Sequence, residues 1–301
     1  MSAPDSLKSI LFAFFANFAI AIAKGVAALY TGSSAMLAET IHSLADAGNQ
    51  LLLVLGLRQT LKAPTDEHPL GFGKSIYFWS FLVAVILFSL GGMFSLYEGI
   101  HKLTHPTPLN FPWVAIGVLV FAIAAESVSM WGCMREVNKE RHGRGLWQWF
   151  RESRTSALIV VFGEDIAALA GLILALLAII LTFVTGDPMW DAIGTIIIGV
   201  LLLVIAIFIA VEVKQLLIGQ SVDPRELAKM RSFLEAQPQV KKVYSLLTMQ
   251  FGPDAMVAIK AEMQPQASDV QLIKAINEVE ASFRAQFAGV RWLFFEPDLD
   301  D

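Results

Sequence analysis

The chain has 301 residues, of which 55% are hydrophobic and only 16% are charged, and its mean hydropathy is +0.60. This composition is too apolar for a water-soluble domain of this length and is typical of a protein that crosses the membrane several times. The net charge of −5 gives no reason to expect a nucleic-acid partner. The single cysteine, Cys133, excludes an intramolecular disulfide and a cluster of thiolate metal ligands.

Six apolar runs predict six membrane-spanning helices, followed by a small domain outside the membrane. A helix needs about 20 apolar residues to cross a bilayer. The runs cover residues 10–30, 33–56, 76–100, 111–134, 155–184 and 192–217. We therefore expect a six-helix membrane domain at residues 1–219 and a C-terminal domain at residues 220–301. No separate signal peptide with a small-residue cleavage site is recognisable, so the first run is expected to remain as a span.

The first run carries two polar residues, Asn17 and Lys24. An ammonium group cannot bind a metal cation, so Lys24 is expected to pair with a carboxylate of a neighbouring helix. Either Glu39 in the second run or Glu98 in the third could supply that carboxylate.

The second run contains the most informative polar pair. His42 and Asp46 lie four residues apart, so on a helix they share one face about 6 Å apart. A charge at mid-membrane costs about 3 kcal/mol even on the mildest scale, so such residues usually face the bundle interior and carry function. An imidazole and a carboxylate one turn apart are two ready ligands for a divalent metal such as zinc. The alternative is a pair that only joins helices, but an interhelical hydrogen bond contributes only about 1 kcal/mol.

The polar loop after the second run, TDEHPLGFGK, contains Asp66, Glu67 and His68. These side chains could form a weaker metal site at the surface. The alternative is a solvated loop in which the proline and the glycines form turns.

Carboxylates also interrupt the fourth and fifth runs. Glu126 lies in the middle of the fourth run, as a candidate ligand or proton carrier, and the fifth contains Glu164 and Asp165. At about 1.5 Å per residue, Asp165 lies roughly 15 Å from the inner side, and His42 and Asp46 lie roughly 14 to 20 Å from the outer side. These depths coincide near the midplane of a core about 30 Å thick. Adjacent helical residues point about 100° apart, so we expect Asp165 to be the ligand and Glu164 to pair with a neighbouring helix.

The distribution of basic residues predicts the orientation of the spans. In the loops that follow the second and fourth runs they are Arg58, Lys62, Lys74, Arg135, Lys139, Arg141, Arg144, Arg151 and Arg154, whereas the short turns on the opposite side have only Lys102. The positive-inside rule then places both termini in the cytoplasm or an equivalent compartment. An even number of spans agrees with this orientation.

The C-terminal domain is predicted to have the order αββαβ. Asp223 and Ser268 are each followed three residues later by Glu or Gln, which is typical of a helix start. The alternation of apolar and polar residues predicts strands at 240–251, 255–263 and 290–296. This domain contains no histidine or cysteine, so no strong metal site is expected in it.

Taken together, the six spans, the HSLAD segment of the second, the buried aspartate of the fifth, the HPLGFGK loop and the αββαβ tail resemble the cation diffusion facilitator family of divalent-metal transporters. The likeness covers nearly the whole chain and is greatest to the branch related to a mitochondrial zinc exporter. The combination of these features is specific to the family, although the H-x-x-x-D motif alone is a weak signal. The resemblance implies metal efflux by proton antiport, a Y-shaped homodimer and a ferredoxin-like cytoplasmic tail that dimerises. It assigns His42 and Asp46 to the second-span ligand positions and Asp165 to the fifth-span aspartate.

Two positions depart from the family pattern. Val161 stands where the fifth span usually has a histidine, four residues before the aspartate, and Phe72 replaces a second histidine often present in the loop. The primary site is therefore one ligand short. Glu164, Glu126, Asn17 or a water molecule is needed to complete it, and the metal need not be zinc.

The sequence thus predicts a homodimeric, proton-coupled antiporter in a bacterial inner membrane. Its expected substrate is a divalent transition metal, with zinc first and manganese, iron, cobalt or nickel as alternatives. The alternative function is a membrane sensor or scaffold that binds metal without transport, but a scaffold would not need several ionisable residues at the midplane. An enzyme is not expected, because no HExxH motif occurs and no nucleophile-and-base pair stands out.

Overall fold

The computed structural model describes the backbone of residues 3–300 and the side chains of residues 17–300. The membrane part consists of α1 (Ala3–Thr31), α2 (Ser34–Thr60), α3 (Ser75–Ile86), a π-helical segment (Leu87–Met93), α4 (Phe94–Thr104), α5 (Pro112–Arg141), the short α6 (Leu146–Glu152), α7 (Ser156–Thr185) and α8 (Met189–Ile218). The helix from α3 through the π-helical segment to α4 is continuous. The backbone of residues 10–16, the predicted start of the first span, lies in α1, but their side chains lie outside the described residues.

Among the described residues, four helices are long and apolar enough to cross a membrane. They are Ser75–Thr104, Pro112–Arg141, Ser156–Thr185 and Met189–Ile218, and Asn17–Thr31 is a shorter apolar helix. Helix α2 has 27 residues, but its buried polar side chains lower its hydropathy. The prediction of a helical membrane protein with a small C-terminal sheet domain is confirmed. The short helix α6, in the loop between the fourth and fifth predicted spans, was not predicted.

Close contacts at glycine hold the helices of the membrane part together. A Cβ atom on Gly92 of the π-helical segment would lie 2.5 Å from Leu203 Cδ2 of α8, and one on Gly199 of α8 would lie 2.8 Å from the backbone nitrogen of Leu96 in α4. Helices in lipid associate through such close packing, because burial of apolar side chains gains little there. The third span is therefore packed tightly against α8.

The C-terminal part contains α9 (Pro224–Glu235), β1 (Val240–Phe251), β2 (Asp254–Met263), α10 (Asp269–Gln286) and β3 (Val290–Pro297). Strand β2 is central, antiparallel to β1 and parallel to β3. Alternate residues of β2 are buried in an apolar cluster that includes Val279 and Phe283 of α10. The predicted αββαβ order is confirmed. The division of the chain at residue 220 stays a prediction, with which the two separate apolar clusters agree.

The C-terminal part contacts one end of the membrane helices. Tyr77 Oη at the start of α3 accepts a hydrogen bond from Gly252 N at 2.8 Å. Arg144, before α6, donates to Asp223 Oδ2 at 2.7 Å, and Arg154 donates to the carbonyl oxygen of Ser221 at 2.6 Å. We call this end of the helices the tail side and the opposite end the distal side.

Candidate metal site

Four polar side chains follow one face of α2. Glu39, His42, Asp46 and Asn49 lie at positions i, i+3, i+7 and i+10, so successive members are about one helical turn apart. Glu39, His42 and Asn49 are fully buried, and the side chain of Asp46 is 16% exposed. The Nε2 atom of His42 lies 3.5 Å from Asp46 Oδ2. The structure therefore brings the predicted second-span pair together inside the helix bundle, and we call these four residues the α2 stripe.

The two adjacent acids of α7 face different helices. Glu164 Oε1 accepts a hydrogen bond from Asn49 Nδ2 of the α2 stripe at 2.6 Å. Asp165 Oδ1 accepts one from Ser129 Oγ of α5 at 3.2 Å. Glu164 also interacts electrostatically with Asp46. Glu164 is thus held against α2, while Asp165 faces α5.

Several buried polar atoms of the α2 stripe and of α7 lack a hydrogen-bond partner within the described part of the protein. On the α2 stripe they are Glu39 Oε1, both ring nitrogens of His42, Asp46 Oδ1 and Asn49 Oδ1, and on α7 the Oδ2 atom of Asp165 is another. Buried polar atoms are normally paired, so such a set calls for an explanation. Carboxylate oxygens and imidazole nitrogens are ligands for divalent transition metals. In the described residues, however, no three His, Cys, Asp or Glu side chains are grouped closely enough to hold an ion together.

A cavity of about 750 Å³ leads to Asp165 from the tail side. Ser129, Cys133 and Val161 line it together with Asp165, and its wall continues along α5 through Glu136 to Glu140, near the tail-side end of that helix. Val161, at the position where the resemblance leads one to expect histidine, is therefore part of the cavity wall.

A polar network closes the distal side. Lys102 of α4 donates to Asp191 Oδ2 of α8 at 2.8 Å and to the carbonyl oxygen of Gly32 at 2.6 Å. Asp191 also accepts from Ser33 Oγ at 2.6 Å and from Ser34 N at 2.8 Å. Lys102, Asp191 and both serines are buried. The turn between α1 and α2 is thereby tied to the ends of α4 and α8.

The remaining predicted candidates lie apart from the stripe. Glu126 is half-buried on α5 and interacts electrostatically with Asp46 and Glu164. Asn17 is half-buried on α1. Within the described residues, no hydrogen bond joins either side chain to the stripe, so their participation stays a prediction.

The loop after α2 forms a turn. Thr65 and His68 exchange backbone hydrogen bonds of 3.2 and 3.0 Å, and the His68 ring stacks on Phe72 with ring centroids 4.6 Å apart. Asp66 and His68 are both exposed. These contacts favour the solvated turn over a metal site, although the metal hypothesis for Asp66 and His68 stays untested.

Two side chains that contact the candidate ligands were missed from the sequence. Asn49 orients Glu164, and Ser129 donates to Asp165. Asn49 lies three residues after Asp46 and Ser129 three residues after Glu126, so helical spacing from the predicted acids could have indicated both.

Comparison with known proteins agrees with this architecture. The family profile described as the cation efflux transmembrane domain matches residues 10–218, more than half of the chain. The chain belongs to the cation efflux family. Membership confirms the resemblance drawn from the sequence and identifies a multi-pass integral membrane protein.

Three similar proteins illustrate the range of this family. The proton-coupled zinc antiporter SLC30A9, mitochondrial, of Xenopus laevis is 34% identical over 242 residues, which cover 80% of this chain and 43% of the relative. Metal tolerance protein C4 of Arabidopsis thaliana is 31% identical over 263 residues, covering 86% and 57%. The cation-efflux pump FieF of Escherichia fergusonii is 26% identical over 260 residues, covering 86% and 82%. The chain spans about half the length of the first of these relatives.

Proposed function

We propose that the protein exports a divalent transition metal, zinc first, in exchange for protons, through a mid-membrane site on α2 and α7. The proposed ligands are His42, Asp46 and Glu164, which would have to move closer together to hold an ion, since they are not grouped in this structure. Asp165 is proposed to receive the metal from the tail-side cavity. The observation that carries this proposal is the set of buried, unpartnered nitrogen and carboxylate oxygen atoms on α2 and α7, of which Asp165 Oδ2 belongs to a residue that lines the tail-side cavity. The relatives named as zinc antiporters and cation-efflux pumps support the same class of substrate.

Glu164 is the candidate for the ligand that Val161 cannot provide. Asn49 holds Glu164 against the α2 stripe, whose His42 and Asp46 supply the other donors. A site with one imidazole and several carboxylates is harder than a histidine-rich one, so its preference for zinc over manganese, iron, cobalt or nickel is softened. Glu126 and Asn17 remain alternatives for this position.

Proton coupling follows from the proposed ligands. Metal binding requires a neutral imidazole and ionised carboxylates, so it must displace protons from the site. Without the metal, ionised carboxylates buried in the membrane are costly, so the empty site is expected to take up protons. The same side chains would therefore carry metal in one direction and protons in the other.

The two ends of the helices support alternating access. The tail-side cavity reaches Asp165, while the buried Lys102–Asp191 network closes the distal side. We interpret this arrangement as the state that receives metal from the tail side. By the positive-inside rule the tail side faces the cytoplasm. We propose that the membrane is a bacterial inner membrane. In this orientation the metal enters the protein from the cytoplasm, so the proposed direction of transport is export.

A homodimer is proposed on the strength of an uncovered sheet face. Leu247 of β1 and Phe294 of β3 flank Ala258 of β2, and these two large side chains are 69% and 56% exposed. Met256 and Trp292 lie next to them on the same face. Exposed apolar patches of this kind mark interaction sites, and a second copy of the tail would cover this one.

The deciding experiment is a metal panel in proteoliposomes that contain a pH-sensitive dye. We expect zinc flux with counterflow of protons, stimulated by an imposed pH gradient. Metal binding without flux would favour the sensor or scaffold, and flux without proton movement would favour facilitated diffusion.

A further inference from the structure

The single cysteine of the chain lies at the tail-side cavity. Cys133 of α5 lines this cavity together with Ser129 of the same helix and with Val161 and Asp165 of α7. The cysteine is buried, and its thiol interacts with the carboxylate of Asp165. The transport route proposed above makes no use of this sulfur atom, although it adjoins the carboxylate that receives the metal.

The directions of the two helices define the level at which the sulfur lies. Ser129 and Cys133 are four residues apart on α5, as Val161 and Asp165 are on α7, so each pair shares one face of its helix. Ser129 Oγ donates to Asp165 Oδ1 at 3.2 Å, which places these two residues at one level. Because α5 ends at the tail side and α7 begins there, Cys133 and Val161 both lie about 6 Å, one turn, nearer the tail side. Val161 is apolar, so Cys133 supplies the donor atom at this level.

Asp165 has an oxygen atom that could bind the same ion. The residue is 8% exposed, and its Oδ2 atom has no hydrogen-bond partner within the part of the chain that the structure describes. Buried polar atoms are normally paired. A buried structural cysteine normally behaves as a small apolar side chain, whereas this thiol adjoins a carboxylate and a cavity of about 750 Å³. The two side chains therefore offer one sulfur and one oxygen donor beside space that water can fill.

We propose that Cys133 Sγ and Asp165 Oδ2 form an entry site that takes a thiophilic divalent cation, such as zinc or cadmium, from the tail-side cavity before the cation reaches the ligands proposed on α2 and α7. This inference rests on the proposed function, because it concerns the first step of the same route. Binding forms a sulfur–metal bond, and the thiol proton leaves to water in the cavity. Water completes the coordination, since no third His, Cys, Asp or Glu of the described residues is grouped with this pair.

A sulfur donor at the entrance makes the entry site selective. Thiolate ligands favour zinc and softer cations, whereas carboxylates and water suit manganese. The ligands proposed further inside, one imidazole with carboxylates, discriminate less between these cations. The entry site therefore supplies a preference for zinc that the inner site lacks.

The test is the absorption spectrum of the purified full-length protein, titrated with Co²⁺ and separately with Cd²⁺, with the bound metal counted by equilibrium dialysis. A thiolate bound to either ion gives a strong charge-transfer band in the ultraviolet. Because the chain has a single cysteine, such a band reports Cys133 alone. We expect the band in the wild type, its loss in Cys133→Ser and a higher metal concentration for half-saturation of the band in Asp165→Asn. Ser127→Ala is the matched control on α5 and should keep the band, because this exposed serine donates to the carbonyl oxygen of Ile123 in its own helix.

Vesicle flux gives a second measurement. Cys133→Ser should lose more cadmium flux than manganese flux, because only the softer ion depends on the sulfur donor. A purely structural effect of the substitution would lower both fluxes alike.

Three results would overturn the inference. Metal bound to the wild type without the band would show that the sulfur does not touch the ion, and would leave the proposed function standing. A band that persists in Cys133→Ser, or equal losses of cadmium and manganese flux in that variant, would do the same. If the wild type binds neither cobalt nor cadmium, the proposed metal site itself fails, together with this inference. The wild-type spectrum decides the question even if Cys133→Ser does not fold.

Discussion

Lys102 Nζ and Asp191 Oδ2 lie 2.8 Å apart at the distal end of the helices, where their side chains are 3% and 0% exposed. This ion pair joins α4 and α8 on the side opposite to the open cavity. If the helices alternate between two states, a contact that exists only while the distal side is closed must stabilise the tail-side-open state. The pair is therefore expected to set the balance between the two states.

Breaking this pair should shift the protein away from the tail-side-open state. Removing one partner of a buried ion pair costs about 3–5 kcal/mol, enough to reverse an equilibrium between states that differ by a few kcal/mol. Cys133 reports the change, because its thiol lines the tail-side cavity. We expect Lys102→Met to slow maleimide labelling of Cys133 by about tenfold or more. Lys229→Met, which removes an exposed ion pair with Glu226 in the tail, is the control and should leave the labelling rate unchanged. An unchanged rate in Lys102→Met as well would mean that the distal network does not affect the balance between the two states.

The adjacent acids of α7 should differ in their effect on metal affinity. Glu164→Gln should weaken zinc binding by at least about 10–100-fold, since it removes a charged donor held against the α2 stripe. Asp165→Asn should reduce flux more than affinity, because Asp165 faces the entry cavity. Calorimetry gives the affinities and vesicle flux gives the rates. The reverse order of affinities would favour Asp165 as the direct ligand, as the family motif implies.

Asn49 should act through Glu164. Side chains that orient a metal ligand are typically worth about 10–100-fold in affinity, so Asn49→Leu is expected to lose that much zinc affinity. In a Glu164→Gln background the same substitution should add little. Ser80→Ala is the matched control, because it removes a buried hydrogen bond of 3.0 Å to Ser156 between α3 and α7, away from the α2 stripe. Equal losses for Asn49→Leu and Ser80→Ala would indicate a general effect on helix packing.

The elements were predictable from the sequence because each has a strong local signal. The apolar runs exceed the length of a span, and the predicted strands of the tail agree with the structure within one residue, owing to their alternating pattern. The π-helical segment at Leu87–Met93 was not predicted. It contains Gly92, which packs against Leu203 of α8. The small residues of the LGG triplet at 90–92 do predict that another helix can approach closely, but no local pattern tells which helix does so.

The residues of the candidate site were easier to predict from the sequence than their arrangement in space. His42, Asp46 and the α7 acids stand out because ionisable residues are rare in apolar runs. Depth along a helix could be counted from the sequence, but rotation about its axis could not. The sequence therefore left open which helix Glu164 would face. Asn49 was not predicted, because its uncharged amide is not an ionisable group in an apolar run.

The uncovered sheet face of the tail should control the oligomeric state. A carboxylate in place of Phe294 would have to be buried without a partner in the proposed dimer, which is strongly unfavourable. We expect Phe294→Glu to convert the detergent-solubilised dimer to monomer, measured by light scattering after size exclusion. Val270→Glu, at a 62% exposed position on α10, is the control and should stay dimeric. A dimeric Phe294→Glu protein would move the interface to the membrane helices.

The contact between the tail and the membrane part should depend on pH through Glu152. Hydrogen bonds from Gln148 and Arg144 hold the pKa of this carboxyl below its ordinary value, and the same Arg144 binds Asp223 of the tail. Because its pKa is lowered in the folded state, Glu152 contributes fully to folding stability above the ordinary pKa of glutamate, about 4.3. This contribution to stability is lost as the pH falls through the lowered pKa. The melting temperature of the wild type should therefore exceed that of Glu152→Gln above about pH 5, and the difference should vanish in stronger acid. A difference that persists at the lowest pH would show that the carboxylate charge is not what joins this loop to the tail.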